Sequence, residues 1–206
     1  MAAGRWKLAS SLLAVALAAA FVLPLRPRPA ETPAGASPGM AHSPLQEGDL
    51  VFRCGHGLWS ELFAEASAHD RRFSHVGVLL RTRAQTWQVA HASAHDLTGH
   101  GRTAAEPLET FLRDATAVEI RRPRLAPAPL GRFVEAVRGA ARARTPFDAS
   151  FSLATPERVY CTELVWQAWT RATGVDPLPR KTLWRGRAIV SIEDVLSLGE
   201  VMPPLP

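Results

Sequence analysis

Two short runs rich in β-formers, "FSHVGVLL" at 73–80 and "TWQVAHAS" at 86–93, lie either side of the hairpin-length connection "RTRAQ". No helix period fits them, and the second alternates, with Trp87, Val89 and His91 on one side. They therefore predict an antiparallel β-hairpin, and any fold for this chain has to be built around it. "GDLVF" at 48–52 and "AVEIRR" at 117–122 supply further strands. Helices are predicted over 58–68, over 128–144 with Pro129 near its first turn, and over 159–174 with Gly174 past its end. "SIED" at 191–194 fits a capping box ahead of a short last helix. Helix, sheet, then helices gives an α+β domain in which an antiparallel sheet packs against helices.

The chain of 206 residues is longer than that domain. Arg5 and Lys7 precede the uncharged run 9–25, so residues 1–25 read as a signal peptide or a membrane anchor. Residues 26–46 are rich in Pro and Ala, lack periodicity and read as a flexible linker. The folded domain is then expected over 47–206. Export to a periplasmic or cell-envelope location follows, with attachment through the apolar segment left open. The formal charge of +5 owes much to residues 1–36, which hold four of the 24 basic residues and one of the 19 acidic ones. The basic clusters 81–83 and 121–124 read as solvated loops, and no nucleic-acid motif is present.

Chemistry concentrates on few residues. Cys161, in "YCTELVWQAW", falls in the first turn of a predicted helix. Helix N-termini favour a thiolate and offer free N–H groups, so its pKa is expected to be lowered; position alone equally fits a buried structural cysteine. A cysteine nucleophile needs a base. Of the seven histidines, His75 and His91 lie inside strand patterns, whereas His56, His69, His95 and His100 lie in turn-rich surroundings. A hairpin centred on Arg83 sets His75 opposite His91, close enough for one imidazole to orient the other. Two unrelated strand histidines are the plainer alternative.

"GDLVF", "FSHVGVLL" and "VYCTELVWQAW", in this order, resemble the circularly permuted NlpC/P60 (papain-like) cysteine hydrolases, closest to the YiiX/YebB-like permuted amidases. Lecithin–retinol acyltransferase-like enzymes are more distant relatives. The resemblance spans about 47–175 and implies a permuted papain-like fold. It implies Cys161 as nucleophile, His75 as base and His91 at the third, orienting position. "TPFDASF" at 145–151 resembles the loop before the nucleophile helix, with Phe147 where that loop usually has tyrosine. No cofactor or metal is implied. The activity expected is an amidase or peptidase acting through a thioester on a cell-wall peptide or an acyl-lipid. An acyltransferase, a lipid-acyl hydrolase and a non-catalytic envelope binding module are the alternatives. Cys54 reads as a free thiol, with a disulfide to Cys161 or a Cys54/His56/His69 metal site as other readings. Residues 96–109 read as a long connection that helps shape the cleft.

Overall fold

The computed structural model describes residues 45–95 and 97–204. The expected leader, and all of the expected linker except Leu45 and Gln46, lie outside the described residues. Those two residues are already attached to the domain. Leu45 packs against buried strand residues, and Gln46 N–H donates to Asp49 Oδ2 at 2.9 Å. No helix of the described residues is long and apolar enough to cross a membrane.

Six strands form one antiparallel sheet: β1 (Leu50–Cys54), β2 (His75–Arg81), β3 (Trp87–Ala94), β4 (Gly101–Pro107), β5 (Ala117–Pro123) and, numbered last in the chain, β8 (Gly199–Val201). Their order is β4-β3-β2-β1-β5-β8. A separate hairpin pairs β6 (Thr182–Trp184) with β7 (Arg187–Ile189). The helices are α1 (Leu58–Ala66), α2 (Leu108–Leu112), α3 (Pro127–Ala143), α4 (Cys161–Thr173) and α5 (Ile192–Leu196).

Apolar runs without alternation signal strands buried on both faces, and β1 and β2 are such strands. Leu50, Phe52, Val76, Val78 and Leu80 join the large core shared with α3 and α4, whereas Val51 and Leu79 point to the other face. There a smaller cluster forms with Val89, Ile120 and Phe111 of α2. His75 and His91 lie on this second face, because strand side chains alternate.

The helices start and stop on recognisable signals. Pro127, not Pro129, opens α3, where the missing N–H costs nothing. Gly174 ends α4 at φ 75°, and Ser191 caps α5 by accepting from Asp194 N–H at 3.1 Å.

Three expectations need correction. The hairpin register pairs Val78 with Ala90 and Arg81 with Trp87, so the turn centres on Ala84 instead of Arg83. The cause is a three-residue loop: Gln85 N–H bonds to Thr82 C=O at 3.0 Å, and Gln85 takes the left-handed conformation at φ 63°. Continued, this register puts Gly77 opposite His91. Second, the connection 96–109 contains β4, which pairs with β3 along its whole length. Third, the 121–124 cluster is not a solvated loop. It runs through β5, and Arg121, Arg122 and Arg124 form ion pairs with Glu119, Asp49 and Glu200.

Candidate active site

The β2–β3 ladder ends at Val78 and Ala90. Beyond it β1 still holds β2 as far as His75, and β4 still holds β3 as far as Ala94, so the two strands part. In that opening His75 Nε2 and His91 Nδ1 lie 2.9 Å apart, with the ring planes at 90°. The imidazoles thus meet, but diagonally and not as opposite neighbours. A register shift of this size keeps both on one face, which is why the contact survives the misplaced turn. Gly77 makes room: a Cβ there would stand 2.2 Å from Val89 Cγ1 and 3.2 Å from His91 Cβ. Phe111 packs on both rings, at 5.6 Å from His75 and 5.1 Å from His91.

The sequence reading missed a third member. Glu106, on β4, places Oε1 3.0 Å from His91 Nε2. Its bond to His91 holds the carboxyl below its ordinary range, so it is ionised at neutral pH. This fixes the protons when each ring carries one. A carboxylate only accepts, so His91 Nε2 carries hydrogen and Nδ1 accepts. His75 must then donate from Nε2, which leaves a lone pair on His75 Nδ1. No hydrogen bond occupies that atom among the described residues. Burial first, and then the nearby His91 and Arg53 charges, hold His75 well below the ordinary imidazole value. It is neutral at pH 7, as a proton acceptor must be.

Cys161 is the first residue of α4, and its neighbours lock it. Tyr160 Oη accepts from Val190 N–H at 2.9 Å, and Thr162 Oγ1 donates to Val190 C=O at 2.6 Å. One peptide segment is therefore clamped from both sides of the cysteine. Glu163 turns back to accept from Tyr160 N–H at 3.4 Å and takes a second bond from Gln167 at 3.1 Å. Burial pushes the Glu163 carboxyl up to about 8. The backbone N–H groups of Val76, Thr162 and Cys161 itself favour the thiolate. Val76 adjoins His75 in β2, while Cys161 itself is buried in the core and does not line the cleft. No hydrogen bond joins Cys161 Sγ to His75 among the described residues.

The expected lowered pKa of Cys161 is overturned. Burial pushes the thiol up to about 12, against the pull of those three N–H groups and of Arg53. Cys161 has no exposed surface, and desolvation of a full charge outweighs a helix terminus. Cys54 and Cys161 are both free thiols in this structure. Among the described residues no group of three or more His, Cys, Asp or Glu could hold a metal ion. His56 is exposed and also borders the cleft.

That cleft measures about 460 Å³ out to its open mouth. Arg53, Ser74 and His75 form a polar wall, and Trp59, Phe63 and Phe147 an apolar one. Phe147, at the usual tyrosine position, is buried with its ring 5.5 Å from Trp59. Asp148 holds the next turn by accepting from Ser150, Ser152 and Thr155.

The family model described as "Permuted papain-like amidase enzyme, YaeF/YiiX, C92 family" matches residues 44–195, from the start of the described chain into α5. No curated protein matches the chain. The match takes in the cysteine helix, both histidine strands and β4, and the chain belongs to this family of permuted papain-like amidases.

Proposed function

We propose that the protein is an exported cysteine amidase in which Cys161 attacks a carbonyl and His75 is the base. The observation that supports it best is the chain Glu106–His91–His75, which leaves one unprotonated ring nitrogen on the residue next to Val76, whose N–H favours the Cys161 thiolate. The resting pair is neutral, thiol and imidazole. The proton therefore moves as attack occurs. Cys161 Sγ bonds to the carbonyl carbon while its proton passes to His75 Nδ1. The carbonyl oxygen gains the charge and takes hydrogen bonds from N–H groups around the sulfur. Collapse forms the thioester, and His75 returns the proton to the leaving amine. Water, deprotonated by His75, then releases the acid and restores the thiol. As His75 gains charge, His91 passes the stabilising influence of Glu106 to it.

An envelope peptide amide or a lipid acyl group is the substrate class, on the strength of the apolar leader and the mixed polar and apolar walls of the cleft. The test is full-length protein, with Cys161→Ala beside it, incubated with cell-wall peptide fragments and acyl-lipids and followed by mass spectrometry. An acyl adduct on Cys161 and a released acid are expected. Turnover by Cys161→Ala, or by Cys161→Ser at more than about a tenth of the native rate, would remove the nucleophile assignment, because a base typically adds ~10²–10⁴-fold and a serine hydroxyl is far harder to ionise. Binding without adduct or product would favour an envelope binding module.

A further inference from the structure

Arg53 is out of place for a strand residue in a buried sheet. It is the register partner of His75 on β1, on the same face as both histidines. Its guanidinium packs over the Phe111 ring, 4.8 Å from the centroid, and lines the cleft. No hydrogen bond or ion pair engages its side chain among the described residues, and its buried Nε has no partner. Glu106, the carboxylate whose charge acts on Arg53, is committed to His91. Gly55 lies beside the guanidinium: a Cβ there would stand 3.8 Å from its carbon and 3.1 Å from Ser60 Oγ. A half-buried cation with free donors is costly unless something supplies acceptors. No side chain or carbonyl among the described residues does so.

We propose that Arg53 is the specificity-determining residue of this cleft, donating hydrogen bonds to a carboxylate or phosphate oxygen on the substrate near the carbonyl that Cys161 attacks. The inference rests on reading Cys161 as the nucleophile, and it narrows the substrate to amides or acyl compounds bearing a nearby anion. A planar guanidinium offers parallel N–H donors matched to two oxygens, a geometry that a lone ammonium lacks. The aromatic wall opposite suits the uncharged part of the same molecule.

The test separates an effect on the ligand from an effect on the sulfur. In full-length protein carrying Cys54→Ser, Cys161 is the sole thiol. Its alkylation rate is measured with iodoacetate and with iodoacetamide, which differ in carrying a carboxylate or a neutral amide. The same ratio is taken for N-acetylcysteine amide. The ratio for the protein should exceed that of the small thiol by ~10-fold or more, the scale of a hydrogen bond to a charged group. Arg53→Gln should bring it down to the small-thiol value, and Arg53→Lys should keep part of it. An unchanged ratio in Arg53→Gln overturns the proposal. So does equal slowing by both reagents, which would mean that Arg53 acts on the sulfur alone. Protection against iodoacetamide by N-acetylglycine or by glycerol 3-phosphate tells a carboxylate source from a phosphate source, with N-acetylglycine amide and glycerol as controls. If Cys161 resists both reagents, it is the nucleophile reading that suffers. Calorimetric binding of the same two anions then decides for Arg53: binding lost in Arg53→Gln with an unchanged melting temperature supports it, and no binding to the native protein overturns it.

Discussion

Strands β2 and β3 are hydrogen-bonded from Val78 to Arg81 and parted from His75 to Val76. The bonded end buries Val78, Leu80, Val89 and Ala90 completely or nearly so. The parted end, in the same two strands, holds two imidazoles, a backbone N–H that favours the Cys161 thiolate, and a border of the cleft. One end is built for cohesion and the other for chemistry. The cost of the unpaired ladder is borne by β1 and β4, which grip the strands from outside. A site can be opened inside a sheet without loosening the sheet, provided each parted strand keeps its other neighbour.

Breaking the parted end should abolish rate and spare stability. We expect His75→Ala to lose ~10²–10⁴-fold in kcat/KM, about 3–5 kcal/mol of transition-state stabilisation. The melting temperature should hold. A collapse of both together in thermal and kinetic assays would show that the two ends are not separable.

The bonded end should behave oppositely. Leu80→Ala removes a buried side chain from the large core, and urea unfolding should report a loss of about 2–5 kcal/mol. Activity per folded molecule should stay near native.

Within the parted end the effects should fall off with distance from the sulfur. His91→Ala should cost less than His75→Ala, Glu106→Ala less again, and His91→Asn and Glu106→Gln least, since each keeps a hydrogen-bonding side chain. Loss of a bond to a charged group is worth about 1.5–3 kcal/mol, or roughly 10–150-fold, as the upper range for Glu106→Ala. If Glu106→Ala matches His75→Ala, then the carboxylate, and not the first imidazole, controls the proton.

Acid sharpens the contrast further. His75 is held below its unfolded value of about 6.5, so the unfolded chain binds a proton that the folded chain refuses. Folding stability should decline as pH falls below about 6.5, by up to ~1.4 kcal/mol per pH unit from this group. The decline should shrink in His75→Gln, measured by urea unfolding across pH 5 to pH 7 (roughly the range in which an imidazole titrates). At the other extreme of pH, alkylation of Cys161 should keep rising past the ~8.5 of an ordinary thiol, toward about 12.

The smallest effect belongs to the turn. Gln85 bears a left-handed φ of 63° that glycine adopts freely, so Gln85→Gly should add up to about 1 kcal/mol to the stability of the bonded end and leave activity unchanged.

Much of this was legible in the chain. Apolar runs showed the doubly buried strands, and strand period placed His75 and His91 on one face. The signals at Gly174 and Ser191 marked helix ends. What escaped had no local signature. Gln85 carries none of the usual bias toward the left-handed region, so the turn was centred one residue early. β4 reads "GRTAAEP", and only Thr103 in it is buried. It is a strand because β3 pairs with it, and Gly101 is needed because a Cβ there would meet Ser93 C=O at 1.8 Å. Glu106 was hidden with it. The thiol shift escaped for a related reason: a helix start is visible in sequence, but burial in the large core comes from residues far apart in the chain.

The N–H of Val76 has a consequence for how this site will look to genetics. It favours the Cys161 thiolate, yet it belongs to the main chain. Replacing Val76 with nearly any residue leaves that donor in place, and the same holds for the amides of Cys161 and Thr162. A scan of single substitutions would therefore score His75, His91 and Glu106 and pass over the main-chain donors that act on the sulfur. Only proline at position 76 deletes the donor there, and it would distort the strand as well. A map of tolerated substitutions for this protein would have a hole at its centre, and an amide-to-ester exchange in the backbone at residue 76 is the chemical substitution that would fill it.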